Sequence, residues 1–185
     1  ARVEGPFPPA SRQLPGNSHY ARPSPDGTLL AVNKEASDDD ETTLEGGPGG
    51  IVIWDIATPS EPRRRTILAP TGKDGTTHNF GWRGRRLYTS WQGGAVRVFD
   101  LTEPTSPRQL ARWAAPDRTA FWTALPARAG IVASSFLDPQ QEREARQDGV
   151  GATLYTFPEP DEGNADLAAT MTPRPTPTVT TTATP

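Results

Sequence analysis

Residues 51–64 read "IVIWDIATPSEPRR". An apolar run ends in Asp55, and Pro59 and Pro62 punctuate the segment after it. Alone, this is a buried strand and its turn. Residues 95–109 read "AVRVFDLTEPTSPRQ". A shift of 45 residues sets Ile51, Ile53, Trp54, Asp55 and Ile56 on Val96, Val98, Phe99, Asp100 and Leu101. The same shift sets Pro59, Pro62 and Arg63 on Pro104, Pro107 and Arg108, and Gly49 on Gly94. Two copies with the same punctuation are a repeat, so Asp55 and Asp100 read as architectural residues. A carboxylate at a strand end caps the amides of the next turn, and one catalytic group rarely recurs in every repeat.

The repeat extends outward. "RLYTSW" (86–91) falls over "IVASSF" (131–136), and "GATLYTFPEP" (151–160) is a degenerate later copy that sets Tyr155 under Phe99. "SHYARPSPDGTLLAVNKE" (18–35) resembles "THNFGWRGRRLYTSWQ" (77–92). Two charged insertions break the period: the acidic stretch 37–48 and the loop 138–148. Short β-rich runs bounded by Gly, Pro and Asp predict strands throughout. The segment 139–147 has helix formers but no apolar face. Four strands in a period near 45 residues are the mark of a propeller blade. Runs that are apolar on both faces suit sheets packed between neighbouring sheets.

The expectation is an all-β partial propeller of about three four-stranded blades, 18–70, 77–115 and 120–157. An extension at 1–17 precedes them, and its "ARVEGPF" (1–7) resembles a closing outer strand. The last blade lacks an evident outer strand. Three blades cannot close a ring, for which four to eight are usual. The chain therefore reads as the C-terminal half of a propeller or an open arc. From 158 to 185 large apolar residues almost vanish and Thr, Pro and Ala dominate. Such a segment buries too little surface to offset its ordering entropy, and reads as a disordered linker or stalk.

Composition sets limits. The 185 residues include 21 Pro and 17 Gly, consistent with frequent turns. There is no cysteine, which excludes disulfides, thiolate chemistry and Cys-type zinc sites. A formal charge of −3 without a basic stripe gives no reason to expect nucleic acid as a partner. No apolar run is long enough for a transmembrane helix. "EGGPGG" (45–50) lacks the strand-to-helix context of a phosphate loop.

"IVIWD" and "VRVFD", each followed by a Pro-x-x-Pro turn, resemble the strand and turn of the LVIVD-repeat β-propellers. "SPDGTLLAV" (24–32) is similar to a hairpin of the wider group of surface propellers. The resemblance covers about 18–157. It implies a non-catalytic secreted or cell-surface domain that acts as a binding or structural scaffold, with an unknown protein or cell-surface ligand as partner. The Thr/Pro tail resembles stalks of haloarchaeal surface proteins.

Candidate site residues are those that do not repeat. The two histidines, His19 and His78, stand at similar places, each taken to precede the innermost strand of its blade, with Thr123 at the comparable place in the third. Innermost strands line the channel, so two imidazoles at its mouth are the one constellation that would bind a metal ion or other ligand. In this the chain resembles copper-containing propeller enzymes of the selenium-binding-protein type, which use channel histidines; the resemblance implies the alternative function, a copper-type propeller enzyme, and no other cofactor. The acidic residues Asp38, Asp39, Asp40 and Glu41 lack calcium-loop spacing. With Glu142 and Glu144 of the other insertion they form a candidate partner-binding rim, since both insertions join the second and third strands of their blades.

Overall fold

The structure is a computed structural model, and it describes residues 18–34, 49–71, 74–114, 120–136 and 154–160. Every regular element among them is a β-strand. The first sheet holds β1 (Ser18–Pro23), β2 (Leu29–Lys34), β3 (Ile51–Asp55) and β4 (Arg63–Leu68), in that order. Next come β5 (Thr77–Arg83), β6 (Arg86–Trp91), β7 (Ala95–Asp100) and β8 (Arg108–Ala114), a second antiparallel meander of the same design. β9 (Ala120–Ala127), β10 (Gly130–Phe136) and β11 (Leu154–Phe157) form a third. One parallel bridge, Asn79 to Thr123, joins β5 to β9. The inner strands of consecutive blades thus run side by side in the same direction, as strands lining a channel must. The chain folds as an all-β partial propeller.

The repeat seen in the sequence is a repeat of hydrogen bonds. Asp55 Oδ1 accepts from the Ala57 amide at 2.9 Å, and Asp100 Oδ1 accepts from the Thr102 amide at 2.9 Å. Each turn closes with a further bond, Glu61 N to Thr58 O and Ser106 N to Glu103 O, both 2.9 Å. Pro59 and Pro104 occupy the second position of these turns, where their fixed φ is already correct. Gly49 and Gly94 both adopt positive φ, 80° and 93°. A Cβ at Gly49 would lie 2.4 Å from the Thr76 Cα, so this position also needs the room.

The middle sheet explains the doubly apolar strands. Leu87, Trp91, Ala95, Phe99 and Leu101 join Leu29, Ala31, Ile51, Ile53 and Leu68 in one core. From the other face of the same strands Tyr88, Val96, Val98 and Trp113 join Phe121, Ala124, Ile131, Ala133 and Phe157 in a second. Period-two alternation therefore sends both faces of β6 and β7 into separate blade interfaces. Each fully buried aromatic or aliphatic side chain contributes about 1.5–3 kcal/mol.

One sequence expectation shifts. Ser18-His19 and Thr77-His78 lie within β1 and β5 rather than before them. The described residues also include Glu159, whose Oε1 and Oε2 accept from Arg86 at 3.0 Å and Arg83 at 2.8 Å, with the Tyr88 hydroxyl donating to Oε1. Burial and this carboxylate push the Tyr88 phenol well above its ordinary value. Glu159 thereby fastens the end of β11 to the middle blade. Removing one acceptor from three donors in a half-exposed setting costs about 1–2 kcal/mol. Glu159→Gln should lower the urea midpoint accordingly with an unchanged denaturant slope. An unaltered midpoint would show that the contact does not carry load. The candidate closing strand 1–7 and the tail from 161 onward lie outside the described residues.

Candidate functional site

Each inner strand begins with the same irregularity. Pairing of β1 with β2 slips between Ser18 and Ala21, and pairing of β5 with β6 slips between Thr77 and Phe80. In β9 the slip falls at Trp122, between the partners of Ser134 and Ser135. A bulge of this kind re-aims the side chain it contains. The re-aimed residues are His19, His78 and Trp122. Their rings pack in series, His19 against His78 at 4.3 Å between centroids and tilted 51°, and His78 against Trp122 at 3.6 Å and tilted 33°.

Buried polar groups hold this stack. Asn33 Oδ1 accepts from the Tyr20 amide at 2.6 Å, while its Nδ2 donates to the carbonyls of Thr77 and His78 at 3.1 and 2.9 Å. One amide side chain thus ties β1 to β5. Ser90, at the matching place in β6, lies 2.7 Å from the Asn79 carbonyl and 3.0 Å from that of Trp122. His78 Nδ1 lies 3.0 Å from the Trp122 carbonyl, which accepts only, so Nδ1 carries the proton. His78 is buried and Trp122 retains 39% of its exposure. The result is an aromatic cluster, tied by buried hydrogen bonds, with an accessible indole at one end of the inner strands.

His19 and His78 are therefore brought together. Thr123 does not occupy the third place: it pairs with Asn79 and receives Asn79 Nδ2 at 3.3 Å. Trp122 supplies the third ring, and only the one-residue bulge in β9 reveals it. Among the described residues no group of three or more His, Cys, Asp or Glu converges in a way that would hold a metal ion. Asp38, Asp39, Asp40, Glu41, Glu142 and Glu144 lie outside the described residues.

The opposite ends of the strands carry the recurring carboxylates. Hydrogen bonds from the Ser24 hydroxyl and the Thr28 amide, with Arg85 nearby, hold Asp26 down at about 2. The Arg65 guanidinium and the Ala57 amide lower Asp55. At Asp100 partial burial pushes upward but Thr102 and Arg108 outweigh it, and the group is again lowered. Their folded values lie below the unfolded value of 3.8, so the unfolded chain takes up protons first. The stability they add is complete above about pH 5 and lost progressively as pH falls toward 2. An acid titration followed by near-ultraviolet circular dichroism should show this loss, and Asp26→Asn should flatten its lower part. A flat profile down to pH 2 would contradict the assignment.

Successive antiparallel β-meanders packed side by side are the architecture of propeller blades. No family model matches the chain, and no curated protein matches it. Solved structures do. The chain is similar to a hypothetical selenium-binding protein from Sulfolobus tokodaii, with a TM-score of 0.54 and 13% identity, over 80% of this chain and 40% of that one. It is also similar to the β-propeller domain of Cps50 (Swd1) from Myceliophteria thermophila, with a TM-score of 0.50 and 20% identity, over 79% of this chain and 37% of that one. At such identities the likeness is one of fold. The chain spans about two fifths of the length of these structures.

Proposed function

We propose that the chain is a non-catalytic propeller module of the LVIVD-repeat kind, secreted or displayed at the cell surface, that serves as an interaction scaffold. The observation that carries this reading is the division of labour among side chains. Recurring carboxylates are engaged in turns and ion pairs, whereas the non-recurring His19, His78 and Trp122 gather at one mouth with the indole accessible. An exposed indole on a rigid base is a low-entropy contact element of the sort that dominates interfaces. The insertions with Asp38, Asp39, Asp40, Glu41, Glu142 and Glu144 follow β2 and β10, which end beside this mouth, and form a charged rim for the same partner. Two measurements test it. Protease treatment of intact source cells should release peptides of this chain, and their appearance only after lysis would overturn the location. Labelled protein should bind those cells, and Trp122→Ala should reduce binding at least about tenfold, the range of a hot spot. Equal binding by the variant would remove the mouth from the reading.

The pairing of His19 and His78 at 4.3 Å favours one other reading, a metal-dependent enzyme. A donated Nδ1 proton is how a ligand imidazole is commonly oriented. Two imidazoles need further ligands, which would come from outside the described residues. Elemental analysis separates the two readings. Stoichiometric copper or zinc that disappears in His19→Ala/His78→Ala would establish the metal site; a metal content unrelated to these residues would leave the scaffold.

A further inference from the structure

A cleft opens between the first and second blades, at the end of the strands opposite His19 and His78. It encloses about 360 Å³, near the lower bound for a small-ligand pocket. The two recurring turns flank it. Ala57 follows Asp55 on one side, and Thr102, Glu103 and Pro104 follow Asp100 on the other. Leu29, Ala57 and Pro104 form the apolar part of its lining. The polar part is sorted by its partners. Arg65 and Arg85 reach the cleft, but Asp55 holds Arg65 at 2.5 Å and Asp26 holds Arg85 at 2.8 Å. The Thr28 hydroxyl donates to Asp26 at 2.9 Å and the Thr102 hydroxyl to Asp100 at 2.7 Å. A hydroxyl has one proton to give, so both oxygens keep only lone pairs for a ligand. Glu103 is the group left over. Six of the seven carboxylates among the described residues form ion pairs with arginines, and Glu103 is the seventh. Asp26, Asp55 and Glu103 against Arg65 and Arg85 leave the cleft one negative charge in excess.

We propose that this cleft binds a long cationic side chain, lysine or arginine, of a partner polypeptide. The proposal rests on the interaction-scaffold reading and gives the scaffold a second contact, at the end away from Trp122. The two parts of such a side chain match the two parts of the lining. Its methylene stem covers apolar surface while the head stays near water. The head only donates hydrogen bonds, and Glu103 with the Thr28 and Thr102 oxygens only accepts. Other ligands leave part of the lining unused. A bare metal ion has no stem for Leu29, Ala57 and Pro104. An anion meets the excess negative charge, and an apolar side chain gives Glu103 no counter-ion.

Amide chemical shifts of the isotope-labelled full chain test this. The probes are lysine and arginine blocked as Nα-acetyl methylamides, with blocked norleucine as the uncharged control. Titration at about 20 mM salt should shift the amides of Thr28, Thr102 and Thr105, which line the cleft, with a Kd on the order of millimolar. At about 500 mM salt the binding should weaken. Glu103→Gln should weaken it roughly two- to fivefold, the range of a partly exposed ion pair. Glu103→Lys places a cation of the chain's own in the cleft and should abolish it. Absence of shifts at these amides, equal binding of blocked norleucine and lysine, or binding indifferent to Glu103 overturns the proposal. So does free lysine that binds more tightly than its blocked form, an outcome that assigns the cleft to a free amino acid. Shifts confined to other residues place the cation elsewhere and overturn it as well. Cell binding lost with Trp122→Ala reads on the opposite end of the strands, so the two ideas fail separately.

Discussion

Asp74→Ala is expected to lower stability by about 3–5 kcal/mol, the cost of breaking a buried ion pair on one side. Asp74 has no exposed surface. Its Oδ1 accepts from Arg112 Nη2 at 2.6 Å, and its Oδ2 accepts from Arg97 Nη1 at 3.3 Å and from the Thr71 hydroxyl at 2.8 Å. Arg97 is itself buried between the Trp91 and Phe99 rings, 4.8 and 4.7 Å from their centres. Gln109 and the Ala69 carbonyl take two more of its donors, at 2.7 and 2.9 Å. Without Asp74 the chain keeps a buried cation beside Arg112, a charge of the same sign. Burial already lowers Arg97 to about 10, with Arg112 acting in the same direction and Asp74 against it. Arg97 therefore stays charged and buried without its counter-ion. Asp74→Asn/Arg97→Met removes both partners and should recover most of the loss. Guanidinium unfolding measures both variants. A deficit under about 1 kcal/mol would sink the account.

The contrast between Asp74 and Asp55 shows what a sequence of this kind reveals. Asp55 recurs as Asp100, and recurrence alone identifies a turn. The positions between repeats were equally legible: Pro59 with Pro104, and Gly49 with Gly94. Arg97 falls on Val52, so its cation has no counterpart and carries no periodic signal. Its partner Asp74 lies in a connection 23 residues away, and only the packing of one blade on the next brings them together. Glu159 was hidden for the same reason, inside a stretch whose composition reads as linker. The histidines were visible because they are rare, yet the stack they share with Trp122 was not. A single bulge in β9 displaces that ring from the place the repeat assigns, and bulges leave no mark in a pattern of apolar residues. Charge behaved likewise. A near-neutral total concealed a basic body and acidic insertions, because summation discards position.

Gly130→Ala is expected to be the most damaging single methyl group, costing more than about 3 kcal/mol. Two independent reasons converge on it. Gly130 has a φ of 126°, in a region that L-residues rarely adopt. A Cβ there would also stand 2.2 Å from the Phe157 carbonyl oxygen. That obstacle is backbone, so no side chain can rotate away. Gly130 opens β10 and pairs with Ala127 across a two-residue hairpin, while its neighbour Ile131 pairs with Phe157 of β11. Relief must come by moving β11 outward. Phe157 packs at 5.2 Å from Trp113 and at 6.1 Å from Phe121, so the movement opens the second core between the middle and third blades. It also draws Glu159 from Arg83, Arg86 and Tyr88. The first core, built from Leu29, Ile51, Ile53 and Trp91, shares none of these residues. The expected result is therefore local: amides of β10 and β11 lose protection from hydrogen exchange while those of β2 and β3 keep it. Uniform loss across all strands would show that the blades unfold as one cooperative unit. Undiminished protection in β11 would refute the packing described for Gly130.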